Sequence, residues 1–421
     1  MTRATGGVFG ASPAGHPELP DGARVRVASE QHAVRERTAD AGLGSDLLDR
    51  TERLVGVPSL SGEEATLADL LEGELRAASH LRVFRIGDNL VARTELGRPE
   101  RVVLAGHLDT VPGAQGVRRE PDRVVGLGAA DMKGGLAVLW WLAAVSTAPS
   151  VDATFVFYTC EEVSHERSGL EEVYRTRPEL LAGDVALLLE PTAAIVEAGC
   201  QGVLHLEVVL AGRRAHTARP WTGVNAIHRL APLLAAISNR PTREVPLDGC
   251  TYREALEAVD VSGGIAGNVV PDRVRLSLNH RFAPDRNAEG ASEALARELG
   301  ELIGPEDQLV VRSTAPAARP ELSHPALAAL VRASGSPARA KLGWTDVARF
   351  AGWGTPAANF GPGEPTLAHT AGEWVSRDDL VSTATTLRAL LERGWSEVPA
   401  PTASPLAASQ ERGSGEEGPC R

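Results

Sequence analysis

Three short apolar stretches, each followed closely by acidic or imidazole side chains, constrain the fold of this chain most. They run over Arg101–Leu104, Ala153–Tyr158 and Val185–Leu189, and the sequences AGHLD, TCEE and EPT follow them. A helical pattern opened by glycines, Gly134–Val145, lies between the first two. This order predicts an α/β domain with a mostly parallel sheet and helices on both faces. Ligands bind at the carboxyl ends of such strands, where these polar residues lie.

A second pattern begins near residue 203. At 421 residues the chain is longer than one hydrophobic core usually organises, so two domains are expected. Strand and helix patterns alternate here in the order βαββαβ, which predicts a ferredoxin-like unit. They run over Leu204–Leu210, Asn225–Ile237, Ala255–Ser262, Val274–Phe282, Glu289–Leu302 and Gln308–Ser313. We therefore expect residues 203–315 to form a domain inserted into a first domain of residues 41–202 and 316–396.

Composition excludes several classes of protein. No apolar run approaches the roughly 20 residues that span a bilayer, and Met1–Gly22 lacks the apolar core of a secretory signal. The four cysteines are widely spaced and form no CxxC pair, which indicates a reducing cytoplasm. Residues 1–40 and 397–421 are rich in Gly, Pro, Ala and Ser and are expected to be disordered.

Charge limits the partners of the chain. A formal net charge of −12 disfavours nucleic acid and anionic membranes. A small anionic substrate is compatible with this charge only if local cations override the overall negative field.

His107 and Asp109 are the first candidate site residues. Side chains i and i+2 of a strand point to the same side, so Asp109 is expected to accept a hydrogen bond from the His107 ring nitrogen that faces away from a metal. Asp131 lies in a glycine-rich segment, residues 126–135, which suits a backbone folded tightly around a ligand. That segment lacks the spacing of a phosphate-binding loop and of a dinucleotide fingerprint, which argues against a nucleotide-binding enzyme.

Further carboxylates and one more histidine complete a candidate metal site. Glu161 and Glu162 are adjacent, so we expect them to point in opposite directions, one to a metal and the other to the substrate as a base. Glu190 follows another strand, and His369 lies in a Gly/Pro-rich loop. Each motif alone also fits an ordinary loop or helix start. Together, two histidines and three carboxylates match the ligands of zinc, and a carboxylate shared by two ions about 3.5–4 Å apart is the usual basis of two-metal hydrolysis.

From about Leu48 to Leu391 the chain resembles the family of co-catalytic zinc deacylases and carboxypeptidases. The motifs that carry the resemblance are PSLSGEE (58–64), GHLDT (106–110), DMKG (131–134), EE (161–162), EPT (190–192), GRRAH (212–216), NAIH (225–228) and NVVPD (268–272).

This resemblance implies a role for each candidate residue and two Zn²⁺ per subunit, for which Co²⁺ or Mn²⁺ could substitute. Asp131 would bridge the ions, and its peptide bond to Met132 would be cis. The other ligands would be His107 with Glu190 for one ion, and Glu162 with His369 for the other. Glu161 would be the general base, and Asp109 would orient His107.

The resemblance also implies that the inserted domain is a lid that carries the contact of a homodimer. His216 would reach the active site of the partner subunit and stabilise the oxyanion. Arg281 and Asn268 match positions that bind a substrate carboxylate, and Arg219 and Thr345 are further candidates for substrate binding. An anionic acyl-amino acid is the implied substrate.

Within the family, four stretches are similar to an actinobacterial branch of desuccinylases. They are EAGCQG (197–202), DGCTYRE (248–254), RFAPDR (281–286) and GWTD (343–346). This likeness implies a succinylated diamino dicarboxylic acid as substrate. Because the same ligands serve other members, another deacylase or a dipeptidase stays open as an alternative.

Overall fold

The computed structural model describes residues 42–113, 116–163 and 165–395. The disorder expected for residues 1–40 and 397–421 therefore concerns segments outside the described residues. Among the described residues, no helix combines the length and apolar character that crossing a membrane requires.

Strands of the described residues are numbered here in chain order. They are β1 (Arg82–Ile86), β2 (Asn89–Arg93), β3 (Arg101–His107), β4 (Arg118–Arg119), β5 (Arg123–Val125), β6 (Asp152–Tyr158), β7 (Val185–Leu188), β8 (Glu197–Ala198), β9 (Gly202–Ala211), β10 (Glu244–Leu247), β11 (Cys250–Arg253), β12 (Ala255–Gly263), β13 (Arg273–Phe282), β14 (Gln308–Ala315), β15 (Arg339–Ala340), β16 (Ala357–Asn359) and β17 (Trp374–Ser376).

Helices are numbered in the same way. They are α1 (42–55), α2 (Ala65–Ala77), α3 (Gly134–Val145), α4 (Gly169–Thr176), α5 (Leu230–Ser238), α6 (Ala288–Leu299), α7 (Pro325–Ser334), α8 (Val347–Gly352) and α9 (Arg377–Arg393).

The large sheet has eight strands in the order β1-β2-β6-β3-β7-β16-β8-β15. Its central strands β6, β3, β7 and β16 are parallel, while β2 pairs with β6 antiparallel and continues into the β1–β2 hairpin. The mostly parallel sheet predicted from the sequence is therefore present at its centre, where the carboxyl ends of β6, β3 and β7 lie side by side.

Both faces of this sheet are covered by helices, as predicted. Along β3 the side chains alternate: Val102 and Leu104 pack in a cluster with α1, α2, α3, α7 and α9, whereas Val103 and Ala105 pack with α4 and α8. All seven residues of β6 are buried, which is expected for a strand with helices on both sides.

A separate four-stranded antiparallel sheet has the order β12-β13-β9-β14. One face packs on α5 and α6 through residues such as Leu206, Leu233 and Leu295. Together with the two helices this is the βαββαβ arrangement expected for residues 203–315. The β10–β11 hairpin between α5 and β12 was not foreseen.

Candidate active site

Neighbouring strand ends bring the candidate ligands together. Strand β3 ends at His107, and the parallel strands β6 and β7 on either side of it end shortly before Glu161 and Glu190. His107 is 1% exposed and Glu190 5% exposed, so both polar side chains are held inside the protein.

The carboxylate of Asp131 lies between two histidines. Its Oδ1 is 3.2 Å from Nε2 of His107, and its Oδ2 is 3.5 Å from Nε2 of His369. Nε2 of His369 is also 2.7 Å from Oε1 of Glu162. The peptide bond between Asp131 and Met132 is cis, as the resemblance implies.

Two groups of side chains have the spacing of metal ligands and share Asp131. One is His107, Asp131 and Glu190, and the other is Asp131, Glu162 and His369; within each group the candidate ligand atoms lie within 4.8 Å of one another. These are the two ligand sets that the resemblance implies. A third group of this kind joins His107 to Glu161 and Glu162.

The donor atoms fit bound cations. Glu190 Oε1 is buried without a hydrogen-bond partner among the described residues. Burial, and then the charge of Asp131, raise the pKa of Glu190 to about 7. Buried carboxylates without a compensating cation are costly, and two imidazoles and three carboxylates suit a divalent ion such as zinc.

Asp109 acts on more groups than predicted. Nδ1 of His107 is 3.0 Å from the main-chain oxygen of Asp109 and 3.5 Å from its Oδ1, so the nearer acceptor is the backbone rather than the carboxylate. Since β3 ends at His107, the i, i+2 rule of a regular strand does not extend to Asp109. Its carboxylate accepts hydrogen bonds from Ser61 Oγ (2.7 Å) and from the N–H groups of Glu161 and Glu162 (3.0 Å each).

Glu161 and Glu162 do not point in opposite directions, contrary to our expectation. Cys160 has a φ of 59°, in the left-handed region, which interrupts the strand alternation just before them. Carboxylate oxygens of the two side chains lie within 4.8 Å of each other, and both residues line the same cavity. Burial raises the pKa of Glu161 well above its usual range.

Three charged residues near this centre were not predicted as site residues from the sequence. Glu373 is buried and accepts hydrogen bonds from the backbone N–H groups of Gly128, Ala130 and Asp131 at 2.8–3.0 Å. Glu64, also buried, accepts one from the N–H of Cys160 at 3.0 Å. The signal for Glu64 was present, because it ends the PSLSGEE motif.

Lys341 is the third residue. Its Nζ lies 3.0 Å from Glu197 Oε2. Burial alone would lower the pKa of Lys341, but Glu197 and Glu190 outweigh it and raise the pKa. This cation therefore partly offsets the acidic centre.

The lid residues predicted to bind substrate fall into two groups. His216, Arg219 and Asn268 lie together in exposed loops: the N–H of Arg219 donates to His216 O at 2.8 Å, and the N–H of Thr217 donates to Asn268 O at 3.1 Å. None of these three lines the cavity beside Glu161, whereas Arg281 does.

Thr345 lies between Trp344 and Asp346, which also line this cavity. Its Oγ1 is buried and has no hydrogen-bond partner among the described residues. The cavity has a volume of about 790 Å³; the lid sheet forms one side, and the loops after β6 and around α8 form the other.

Comparison with known proteins agrees with these motifs. The model of the peptidase family M20/M25/M40 matches residues 103–393. The chain belongs to this family. It is the family whose motifs the sequence resembles, and the fold class predicted from the sequence is confirmed.

Two similar relatives are bacterial. One, from Mycobacterium tuberculosis, is named "Putative succinyl-diaminopimelate desuccinylase DapE"; it is 47% identical over 83% of this chain and 99% of its own length. A succinyl-diaminopimelate desuccinylase from Corynebacterium glutamicum is 43% identical over 81% of this chain and 95% of its own.

Solved structures share the fold. A tripeptidase from Staphylococcus aureus superposes with a TM-score of 0.69 at 20% identity, covering 84% of this chain and 99% of its own. An M20 family metallo-carboxypeptidase from Sulfolobus solfataricus gives 0.66 at 16% identity, covering 82% and 98%.

Proposed function

We propose that this protein is a metal-dependent hydrolase that removes the succinyl group from N-succinyl-diaminopimelate, releasing succinate and diaminopimelate for lysine and cell-wall precursor biosynthesis. The observation that carries the proposal is the Asp131 carboxylate, whose two oxygens face the two histidines of overlapping ligand groups. The identity of 47% and 43% to relatives named for this activity supports the substrate.

Two Zn²⁺ per subunit are the proposed ions, with Co²⁺ or Mn²⁺ able to replace them. His107 and Glu190 would hold one, Glu162 and His369 the other, and Asp131 both. When bound, such a pair polarises an amide carbonyl and acidifies a water molecule.

Glu161 is the proposed general base. It lines the cavity next to the ligand groups and accepts the proton of the attacking water. It then returns the proton to the leaving nitrogen, because an amide nitrogen departs only when protonated. Asp109 supports this role by fixing the N–H groups of Glu161 and Glu162 and by contacting His107.

His216 is the proposed oxyanion donor, supplied by the partner subunit of a homodimer. Two observations support a contribution in trans. His216 is exposed, and it is absent from the cavity that Glu161 and Glu162 line in the same chain. In a two-fold dimer each such contact occurs twice, so both sites would be completed together.

Substrate carboxylates are proposed to bind Arg281, with support from Thr345 of the catalytic domain and from Asn268 and Arg219, which lie in the exposed loops beside His216. Burial lowers the pKa of Arg281, and no carboxylate pairs with it among the described residues. An uncompensated, partly buried guanidinium is a suitable anchor for an anion.

A substrate panel combined with metal analysis tests the proposal. The zinc-loaded protein should hydrolyse N-succinyl-diaminopimelate with a kcat/KM at least tenfold above that for acetylornithine or dipeptides. A preference for acetylornithine or a dipeptide would favour the alternative activity on the same scaffold, and activity without any bound metal would reject the metal mechanism.

A further inference from the structure

Cations line the lid side of the cavity beside Glu161. From the lid sheet Arg281, Arg312 and Ser313 reach it, and from the other wall Glu161 and Asp346 do. Arg281 is on β13 and Arg312 on β14, on opposite sides of the central strand β9. In the part of the chain that the structure describes, the cavity thus has unpaired or partly paired guanidinium groups on its lid side, and on the other side carboxylates together with Arg349, which is ion-paired with Asp346.

A β-bulge directs Arg312 into this cavity. Strand β14 pairs Val311 with Leu206 and Ser313 with His205, so Arg312 is an extra residue without its own partner on β9. In a regular strand Arg312 and Ser313 would point to opposite faces, yet both line the cavity. Bulges re-aim side chains in this way.

The charge of Arg312 is only partly compensated. Its guanidinium donates to Oε1 of Glu207, and Arg275 lies 3.7 Å from the same oxygen. The Arg312 side chain remains 53% exposed. One carboxylate therefore serves two guanidinium groups, and Arg312 keeps N–H donors for an anion.

His205, beside Arg312, is held by hydrogen bonds at both ring nitrogens. Nε2 lies 2.8 Å from the side-chain amide nitrogen of Asn279, and Nδ1 lies 2.9 Å from Ser313 Oγ. The hydrogen bond to Ser313 ties the bulged segment of β14 to β9.

We propose that Arg312 binds a second carboxylate of the substrate, remote from the scissile amide, while Arg281 binds the first. Arg281 is level with Val203 on β9, and Ser313 is level with His205, two residues further along. Because β13 and β14 flank β9, their backbones at these points are roughly 10 Å apart across the sheet and roughly 7 Å apart along it, or about 12 Å in all, a distance that two arginine side chains and an extended tricarboxylate can bridge. This inference rests on the proposed function, which names a substrate with three carboxylates.

Three substrates test it, each compared between the wild type and R312A. They are N-succinyl-diaminopimelate, N-acetyl-diaminopimelate, which lacks the acyl carboxylate, and Nα-succinyl-lysine, which lacks the distal one. We expect R312A to raise KM for the first by on the order of 10- to 100-fold, as for lost hydrogen bonds to a charged group. For one of the two truncated substrates, R312A should hardly change KM. The carboxylate that this substrate lacks is then the one that Arg312 binds.

Matched variants separate recognition from structure. R275A removes a guanidinium that shares Glu207 but does not line the cavity, and should change KM by less than about threefold. The double variant E207Q/R312A removes the carboxylate that R312A alone would leave without its hydrogen-bond donor, and should keep the raised KM. R312K should recover only part of the affinity, since lysine lacks the planar fork of arginine.

Equal losses from R312A on all three substrates, or no loss on any, would overturn the inference. Recovery of wild-type KM in E207Q/R312A would also overturn it, because the defect would then come from Glu207. Direct binding of succinate and diaminopimelate to the wild type and to R312A, compared with binding of acetate and lysine, measures the same recognition without turnover. A wild-type protein that binds these dicarboxylates through Arg312 but cleaves no succinylated substrate would reject the proposed function and leave this inference standing.

Discussion

The carboxylate of Glu373 accepts a hydrogen bond of 2.8 Å from the backbone N–H of Asp131, a residue 242 positions earlier in the chain. The same carboxylate accepts from Gly128 and Ala130, so one buried side chain fixes the loop that aims the shared candidate ligand. Because His369 lies four residues before Glu373, one segment both supplies a candidate ligand and orients another.

Replacing Glu373 should therefore weaken metal binding without touching a ligand. We expect E373A to lower metal affinity by about 10–100-fold, the usual effect of losing a group that orients ligands. E373Q, which keeps one acceptor oxygen, should lower the metal affinity by less than E373A does. Metal titration of the metal-free protein measures both, with the exposed D378N as control. Unchanged affinity in a folded E373A protein would contradict this view of the loop.

Glu161 and Glu162 should respond differently to the same substitution. E161Q keeps the size of the side chain but removes the base, so metal content should persist while kcat falls by roughly 10²–10⁴-fold or more. E162Q should instead lose metal, since Glu162 Oε1 lies 2.7 Å from His369 Nε2. Elemental analysis and kinetics of both variants check this. The same loss of metal and of kcat in both variants would mean that the two carboxylates do not have separate roles as base and ligand.

Chelation should abolish activity and leave the secondary structure intact. The candidate ligands lie at strand ends and in loops of a core built mostly from apolar side chains. Far-UV circular dichroism before and after prolonged dialysis against a chelator should therefore change little, and added Zn²⁺ should restore turnover. Full activity of protein shown to be metal-free would exclude the proposed mechanism.

Subunit exchange tests whether His216 acts in trans. An H216A dimer and an E161Q dimer should each be nearly inactive, since loss of one oxyanion donor costs about 10²–10³-fold in kcat. In the hybrid dimer one site carries both defects and the other neither, so activity should recover towards half. Mass spectrometry verifies the exchange. If hybrids form and stay inactive, His216 serves its own subunit.

Glu254 should make the stability of the lid depend on pH in the acidic range. Burial alone would raise its pKa, but the imidazole of His280 3.7 Å away, the hydrogen bond from the N–H of Ala283, and the charge and hydrogen bonds of Arg286 outweigh it, and the pKa falls to about 2. A folded pKa below the unfolded value of about 4.5 stabilises the folded state above pH 4.5, and this stabilisation is lost as the pH falls towards 2.

The matching variant is E254Q. At pH 7 it should lower the free energy of unfolding by up to about 3 kcal/mol, and the difference from the wild type should shrink between about pH 5 and pH 2. Urea unfolding at several pH values measures this. A difference that is constant over that range would show that Glu254 contributes packing and not charge.

Much of the fold was predictable because strands and helices alternate with clear apolar patterns. Helix α3 has the predicted bounds, and β6 begins one residue before the predicted stretch. The structure also brings the five candidate metal ligands together, and their role as ligands stays a prediction. The strand and helix predictions depend on local sequence, where residue pattern and backbone geometry correspond directly.

The missed features depend on long-range contacts or on local irregularity. Nothing near Glu373 indicates that it reaches a loop 242 residues away. The turn at Cys160 occurs at a residue type that rarely adopts a positive φ, so the shared direction of Glu161 and Glu162 could not be read from the sequence. The bulge at Arg312 likewise appears only once β14 is paired with β9.

The two candidate ion sites enclose very different lengths of chain. His107, Asp131 and Glu190 of one site lie within 83 residues of one another along the chain, whereas Glu162 and His369 of the other are 207 apart, and the longer span contains the whole lid. A cation held by Glu162 and His369 is therefore a cross-link that closes a long loop of the chain. The entropic cost of bringing the ends of such a loop together grows with its length. A protease cut inside the lid would then leave the two ends of this span joined through the ion in the loaded protein, whereas in the metal-free protein packing and hydrogen bonds such as those of Glu373 would hold them.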